Sequence, residues 1–210
     1  MMPTLSSERG TIEIVPVVKG LVSESPKVGI LLDGGYDAAA ASLGPEDISA
    51  IGARSELGEA EISDADAVYG HFLSSFGKIG SPSPVYCALV DLCAEKGIPL
   101  IPADMDDAEY TEAYCRNISL LETLKERSLI RSAAKGGLDM SSPEAFAKDF
   151  ENSFRRIRGF NALAHERADR MAGKLYEALD RRKRIAAFIE IETADDIARI
   201  LMESYGMRQM

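Results

Sequence analysis

Short apolar segments alternate with longer amphipathic segments along most of this chain. Residues 11–18 (TIEIVPVV) are rich in β-branched side chains and predict a first strand, in which Pro16 indicates an edge or a break. The nearly continuous apolar run 27–33 (KVGILLD) predicts a strand buried on both faces, and residues 98–103 and 184–191 predict two more strands.

Helices are predicted where apolar residues recur at helical spacing between capping residues. They cover residues 36–43, 44–58, 83–96 and 193 to about 205, while 64–80 fits either one helix or a strand followed by a helix. From 106 to 183 the pattern is helical, with stops expected at Gly136, Gly137 and Gly159. This block is too long for a simple crossover between strands, so we expect it to protrude as a helical subdomain or to pack against a partner subunit.

Strands that alternate with helices favour an α/β fold with a mostly parallel central sheet flanked by helices on both faces. The length of 210 residues suits one domain. We therefore predict a single α/β domain over residues 1–210, with residues 106–183 forming a long helical block within it.

The charge and cysteine content narrow the compartment and the partners. A formal net charge of −10 argues against nucleic acid as a partner, because neutralising phosphates requires clustered Lys and Arg. The one basic cluster, residues 181–184, fits the favourable cations at a helix C-terminus. Cys87, Cys93 and Cys115 form no CxxC pair and indicate buried thiols in a reducing compartment, and no apolar run is long enough for a membrane span. We expect a cytoplasmic protein without a membrane partner.

The turn Asp33–Gly34–Gly35 is a candidate for a ligand site. It follows the predicted strand 27–33, and doubly wound sheets bind ligands at the carboxyl ends of their strands. A phosphate cradle needs more glycines, or a lysine, than this turn provides. A structural turn is the simpler interpretation, and a nucleotide-binding module stays open as an alternative.

A second candidate is polar and lies on the predicted helical block. His165 and Asp169 stand at i and i+4 on one helix face beside Glu166 and Arg167, and Asp104 follows the strand 98–103. A divalent metal held by Asp104, His165, Glu166 and Asp169 would give a metal-dependent hydrolase. The ordinary alternative is a charged helix face, with Asp104 as part of a helix cap, and no cofactor.

Four segments resemble the TraB/PrgY family, which is related to the Tiki, EreA and ChaN-like group. They are LVSES (21–25), KVGILLDGGYDAA (27–39), ALVDLCAEKGIPLIPADMD (88–106) and ERADRMAGKLYEALDRRKRIAAFIEI (166–191). The resemblance implies an α/β fold and, in proteins that keep the family's histidines and glutamates, metal-dependent hydrolysis.

This chain departs from the family at most of those positions. The early histidine falls at Leu21, the strand glutamate at Leu31, the arginine after the aspartate at Met105 and the late histidine at Thr193. Asp104 and the pair Glu166–Arg167 keep the pattern. Since leucine can neither bind a cation nor move a proton, the resemblance implies a degenerate member without the usual chemistry. Our leading hypothesis is a protein that binds a small molecule of unknown identity or another protein, as a homodimer formed through its helical block.

Overall fold

The computed structural model describes residues 3–56 and 62–210 of the chain, and the statements below refer to these residues. The strands are β1 (Thr4–Ser6), β2 (Thr11–Val17), β3 (Ala38–Ala41), β4 (Leu100–Pro102), β5 (Arg184–Glu190) and β6 (Arg208–Gln209). The helices are α1 (Pro26–Leu32), α2 (Pro45–Gly52), α3 (Asp64–Leu73), α4 (Pro84–Lys96), α5 (Asp107–Asn117), α6 (Leu120–Ala133), α7 (Pro143–Arg155), α8 (Arg158–Ala178) and α9 (Ile191–Glu203).

The strands form one sheet in the order β4-β3-β5-β2-β1-β6. The pairs β4–β3, β3–β5 and β5–β2 are parallel, whereas β1 runs antiparallel to both β2 and β6. The predicted α/β class with a mostly parallel sheet is therefore confirmed. The short strands β1 and β6 were not predicted, because three and two residues carry no periodic signal.

Strand β2 contains Pro16, and its position in the sheet explains why a proline is tolerated there. Strand β1 pairs only with Thr11 to Glu13 of β2, so Pro16 lies beyond that contact, where β2 has an open side. Strand β2 is therefore an edge strand only near Pro16 and only on this side. On its other side it pairs with β5 along its whole length.

The predicted strand at 27–33 is wrong: these residues form most of helix α1. Pro26 occupies the first helical turn, and Val28 and Leu32, four residues apart, are the buried positions. Ile30 between them is 76% exposed. A short apolar run does not distinguish a buried strand from a helix with one buried face.

The helix predicted at 36–43 is also wrong, because Ala38–Ala41 form strand β3. Alanine favours helices in isolation, but all four alanines are fully buried between β5 and β4. Tertiary packing overrides helix propensity here, since a central strand covered on both faces by helices accepts small side chains.

The other predicted elements are largely confirmed. Strands β2, β4 and β5 and helices α4 and α9 lie within or beside their predicted ranges, and 64–73 of the ambiguous segment form a helix. The helix predicted over 44–58 ends at Gly52, and its last two predicted residues, 57 and 58, lie outside the described residues.

The helical block contains four helices, α5 to α8. The predicted helix 106–135 is divided between α5 and α6 because Ser119 caps α6: its backbone N–H donates to the Glu122 carboxylate at 2.9 Å. Helix α8 begins at Arg158, one residue before the expected break at Gly159. A side chain on Gly159 would lie 2.5 Å from the Asn117 carbonyl oxygen, so this glycine allows α5 and α8 to approach closely.

Four apolar clusters stabilise the fold, and the smallest lies around Met105, Ala113 and Leu163. Helices α8 and α9 cover one face of the sheet, and α1, α2 and α4 cover the other. Helix α8 therefore belongs to a layer of the sheet and not to a protruding subdomain. The third cluster, which we call the aromatic cap, joins α3 and α7 to the residues after β2 through Val18, Leu21, Tyr69, Phe146 and Phe150. None of the described helices has the length and hydrophobicity that crossing a membrane requires.

Candidate functional site

The parallel strands β2, β5, β3 and β4 all end at the same edge of the sheet. Polar residues follow at each end: Lys19 after β2, Ser42 after β3, Asp104 after β4, and Glu190 with Glu192 at the end of β5. Sheets of this type present their ligand sites at this edge.

A cavity of about 90 Å³ lies between this edge and the aromatic cap. We call it the cap cavity. Its main polar lining residues are Lys19, Asp66, Tyr69, Arg167, Glu190 and Glu192.

The backbone of Glu190 is fixed by hydroxyl groups of neighbouring elements. Its N–H donates to Ser42 Oγ at 3.0 Å, and Ser42 Oγ is itself 2.7 Å from the hydroxyl of the buried Tyr86. Thr193 Oγ1 donates to the Glu190 carbonyl oxygen at 3.1 Å. These bonds fix the junction of β5 and α9, from which the Glu190 and Glu192 side chains line the cavity.

Lys19 is positioned by a tight turn after β2. Gly20 has a left-handed φ of +92°, and its N–H donates to Ser83 Oγ at 3.2 Å. The Lys19 ammonium lies 3.8 Å from Glu190 Oε1 and 5.7 Å from the centre of the Tyr69 ring. The negative charge of Glu190 raises the pKa of Lys19 and outweighs burial, which acts in the opposite direction.

Glu192 and Tyr69 are the incompletely bonded members of the site. Glu192 Oε2 and the Tyr69 hydroxyl are both buried and have no hydrogen-bond partner among the described residues. Burial is the main cause that raises the pKa of Glu192 to about 8, and the negative charge of Glu190 adds to it. Glu192 lies in the first turn of α9, and the helix dipole at that end, which stabilises anions, does not offset these effects. Burial likewise raises the pKa of Tyr69 above its usual value. At neutral pH both groups are mostly protonated.

Asp104 and Arg167, which the sequence singled out together, form an ion pair in which Asp104 is buried and Arg167 is partly exposed. Arg167 Nη2 and Nε donate to the two Asp104 carboxylate oxygens, and the Nε contact measures 3.3 Å. Asp104 Oδ1 also accepts the Met105 N–H at 2.8 Å. Burial is the largest single influence and lowers the pKa of Arg167, but the charge and hydrogen bonds of Asp104, together with the charge of Glu190, outweigh it and the net shift is upward. The carboxylate of Asp104 is therefore fully engaged by the protein.

The other residues of the predicted polar site, His165, Glu166 and Asp169, do not form a cluster with Asp104. Glu166 binds Arg116 and accepts from Asn117 Nδ2 at 2.9 Å, so it lies against α5. His165 and Asp169 are exposed on α8. Glu166 and Asp169 line an open groove between α5 and α8, where basic side chains also lie. Among residues 3–56 and 62–210, no three His, Cys, Asp or Glu side chains are grouped so as to hold a metal ion. The predicted ligand set therefore does not fit a divalent metal.

The turn Asp33–Gly34–Gly35 lies at the opposite edge of the sheet from the cap cavity. It follows helix α1 and leads into β3, and the Gly34 carbonyl oxygen accepts from Arg184 Nη1 at 2.6 Å, where β5 begins. Its predicted position at the carboxyl end of a strand is wrong, because the preceding segment is a helix.

The positions at which the family resemblance placed missing groups have structural roles here. Leu21 is buried in the aromatic cap, and Met105 is buried beside α5 and α8. Leu31 lies on α1 rather than on a strand. Thr193 lies at the cap cavity and bonds the Glu190 carbonyl oxygen.

Four central residues of the cap cavity were missed from the sequence: Lys19, Tyr69, Glu190 and Glu192. Lys19 and Glu190 stand at the ends of correctly predicted strands, so the rule that applied to Asp104 would also have found them. Tyr69 gave no such signal, because its segment fitted two kinds of structure. No protein-family model and no curated protein matches this chain.

Proposed function

We propose that this chain acts by binding a small polar molecule in the cap cavity, and not by catalysis. The observation that carries the proposal is the pair of buried oxygens without a partner, Tyr69 Oη and Glu192 Oε2, which belong to two residues that line one cavity. A buried polar group without a partner costs about 1–3 kcal/mol, so two such groups in one place favour an occupant that bonds them.

The dimensions of the cavity limit that occupant. A volume of about 90 Å³ corresponds to roughly three water molecules. The binding molecule is therefore small, or it inserts one small polar group. The location at the carboxyl edge of parallel strands supports the same function.

Thermal shift and isothermal calorimetry test this proposal with acetate, acetamide, glycine, methylammonium and phosphate as probes. At least one probe should raise the melting temperature of the full chain in a concentration-dependent way. Tyr69→Phe should weaken that binding about tenfold, because it deletes one of the two unpartnered oxygens and little else. Tyr176→Phe on α8 removes a hydroxyl outside the cavity and should leave binding unchanged. If no probe binds, or if both variants behave alike, the binding function is wrong.

We also propose that the chain forms a homodimer through α6. Leu120, Leu121 and Leu124 are 87%, 71% and 61% exposed, and they form one apolar patch on the first turns of that helix. Neighbouring exposed leucines are typical of protein interfaces, since burying them removes apolar surface from water.

Analytical ultracentrifugation across micromolar concentrations tests the homodimer. Leu121→Glu should shift the chain to monomer, while Ile30→Glu, an equally exposed apolar position on α1, should leave the dimer intact. A monomer for the unsubstituted chain at high concentration, or equal effects of the two changes, would contradict the interface.

Two broader assignments are also proposals. The four resembling segments support membership of the TraB/PrgY family as a degenerate member. The three free cysteines support a reducing compartment such as the cytoplasm. Localising a fluorescent fusion of the chain in cells tests the second assignment.

A further inference from the structure

We infer that the cap cavity binds the primary ammonium group of a small organic amine; this inference rests on the proposed binding function. It follows from the charges around the cavity, from the two unpartnered oxygens and from the aromatic wall.

The residues that line the cavity include more carboxylates than their basic partners can pair. Lys19 is the ammonium nearest to Glu190, at 3.8 Å, and Arg167 is engaged by Asp104. Glu151 is paired with Arg155 at 3.2 Å. These pairings leave Glu192 and Asp66 at the cavity without a basic partner among the described residues.

An ammonium group suits both unpartnered oxygens. Its three N–H groups can donate to a carboxylate oxygen and to the lone pair of a phenol hydroxyl, the two kinds of acceptor that Glu192 and Tyr69 leave without a partner. An oxyanion could accept hydrogen bonds from the same two hydroxyl groups, but it would lie beside the charged carboxylates of Glu190 and Asp66. Electrostatics therefore favours the cation.

The wall of the cavity favours an organic cation over a metal ion. Tyr69 and Phe150 line it with their rings, which lie 5.2 Å apart, and aromatic faces attract ammonium groups. The ring of Tyr69 already faces the ammonium of Lys19 at 5.7 Å. The described residues supply no group of three metal ligands here.

Binding of this group should depend on pH through Glu192. Burial and Glu190 raise the pKa of Glu192 to about 8, so an entering ammonium must displace its proton at neutral pH. Affinity should rise about tenfold for each pH unit up to about pH 8 and then level off. The charged or titratable groups around Glu192 are Lys19, Asp66, Tyr69, Glu151, Arg155, Arg167 and Glu190, with Asp196 on its own helix.

Isothermal calorimetry of the full chain with methylammonium chloride tests the inference at pH 6, 7 and 8. Potassium chloride, tetramethylammonium chloride, sodium acetate and magnesium chloride serve as comparison probes at equal ionic strength. Methylammonium should bind at least tenfold more tightly than each of them and should release close to one proton at pH 7, as seen from buffers of different ionisation enthalpy. Glu192→Gln should abolish the proton release and weaken binding at least tenfold at pH 8, while Glu203→Gln, an exposed carboxylate on the same helix, should change neither.

The other results separate this inference from the binding function on which it rests. If acetate, magnesium or potassium binds as tightly as methylammonium, or if tetramethylammonium does, the primary ammonium is the wrong class. In that case the binding function stands, provided that Tyr69→Phe weakens the probe that binds. If no probe binds, both are overturned.

Discussion

Asp104 and Glu192 are two carboxylates at the same edge of the sheet, but their surroundings differ. Asp104 follows β4, binds Arg167 through both oxygens and accepts a backbone N–H. Glu192 follows β5 and has one buried oxygen without a partner and a pKa raised to about 8. The charge of Glu190 at the end of β5 acts on both Lys19 and Arg167.

This difference indicates that Asp104 stabilises the fold, whereas Glu192 is available for a ligand. A buried carboxylate with its own cation is already satisfied, and breaking that pair leaves an isolated charge. A buried carboxylate without one destabilises the folded state whenever it ionises. Groups with a strongly shifted pKa are common at functional sites, and Glu192 lines a cavity that could hold a ligand.

Removing the cation of the satisfied pair should have the largest effect on stability. Arg167→Met leaves the Asp104 carboxylate, which is 8% exposed, with one remaining hydrogen bond. We expect the free energy of unfolding in urea to fall by about 3–5 kcal/mol.

The double variant Asp104→Asn/Arg167→Met provides the control for this change. It leaves a neutral amide instead of a buried charge, so it should be less destabilised than Arg167→Met alone. If Arg167→Met costs less than about 1 kcal/mol, the pair behaves like a surface ion pair and the comparison with Glu192 fails.

Neutralising Glu192 should have the next largest effect, and with the opposite sign. Because the pKa of Glu192 is higher in the folded protein, about 8 against an ordinary 4.5, its contribution to stability is present below pH 4.5 and is lost as the pH rises towards 8. Glu192→Gln should therefore come close to the unsubstituted chain at pH 5, and its advantage should grow by about 3–4 kcal/mol between pH 5 and pH 8.

Urea unfolding at pH 5, 6.5 and 8 measures that difference, with Glu203→Gln as the matched control. Glu203 is exposed at the end of the same helix, so its substitution should leave the pH dependence unchanged. A constant difference between Glu192→Gln and the unsubstituted chain at all three pH values would show that Glu192 is ionised throughout.

Removing the unpartnered hydroxyl of Tyr69 should stabilise the protein more modestly. The ring packs between Phe146 and Phe150, each 5.2 Å away, and a phenylalanine keeps those contacts. Tyr69→Phe should therefore raise the free energy of unfolding by about 1 kcal/mol in the absence of ligand. Tyr176→Phe serves as the control, and a loss of stability in Tyr69→Phe alone would mean that the hydroxyl is already satisfied.

The sequence predicted Asp104 and Arg167 as candidate site residues but did not predict Glu192. Asp104 follows a strand whose apolar pattern is plain, and Arg167 was singled out beside it by its helix position and by the family resemblance. What the sequence could not supply was their pairing, which depends on how α8 packs on the sheet. Periodicity predicts which face of a helix is buried but not which neighbour it meets.

The largest errors in the fold came from short segments whose local preference opposes their tertiary setting. Residues 38–41 are four alanines that favour a helix, yet they form a central strand whose side chains are fully buried. Exchanging strand and helix over 27–43 also put the turn at Gly34 and Gly35 at the wrong edge of the sheet. The cap cavity could not be located from the sequence, because the aromatic cap brings together residues that are far apart in the chain.

The smallest effect is expected where a carboxylate and a cation meet at the surface. Glu166 and Arg116 form such a pair, with side chains 35% and 53% exposed, and Glu166 also bonds Asn117. Arg116→Met should lower the free energy of unfolding by less than about 1 kcal/mol, because solvent compensates the charge left behind. Raising the salt concentration to 1 M should remove most of that difference while leaving the Arg167→Met difference largely in place, since buried pairs are screened far less than exposed ones. Equal salt sensitivity of the two variants would contradict the assignment of Asp104 to the protein interior, and with it the contrast between Asp104 and Glu192.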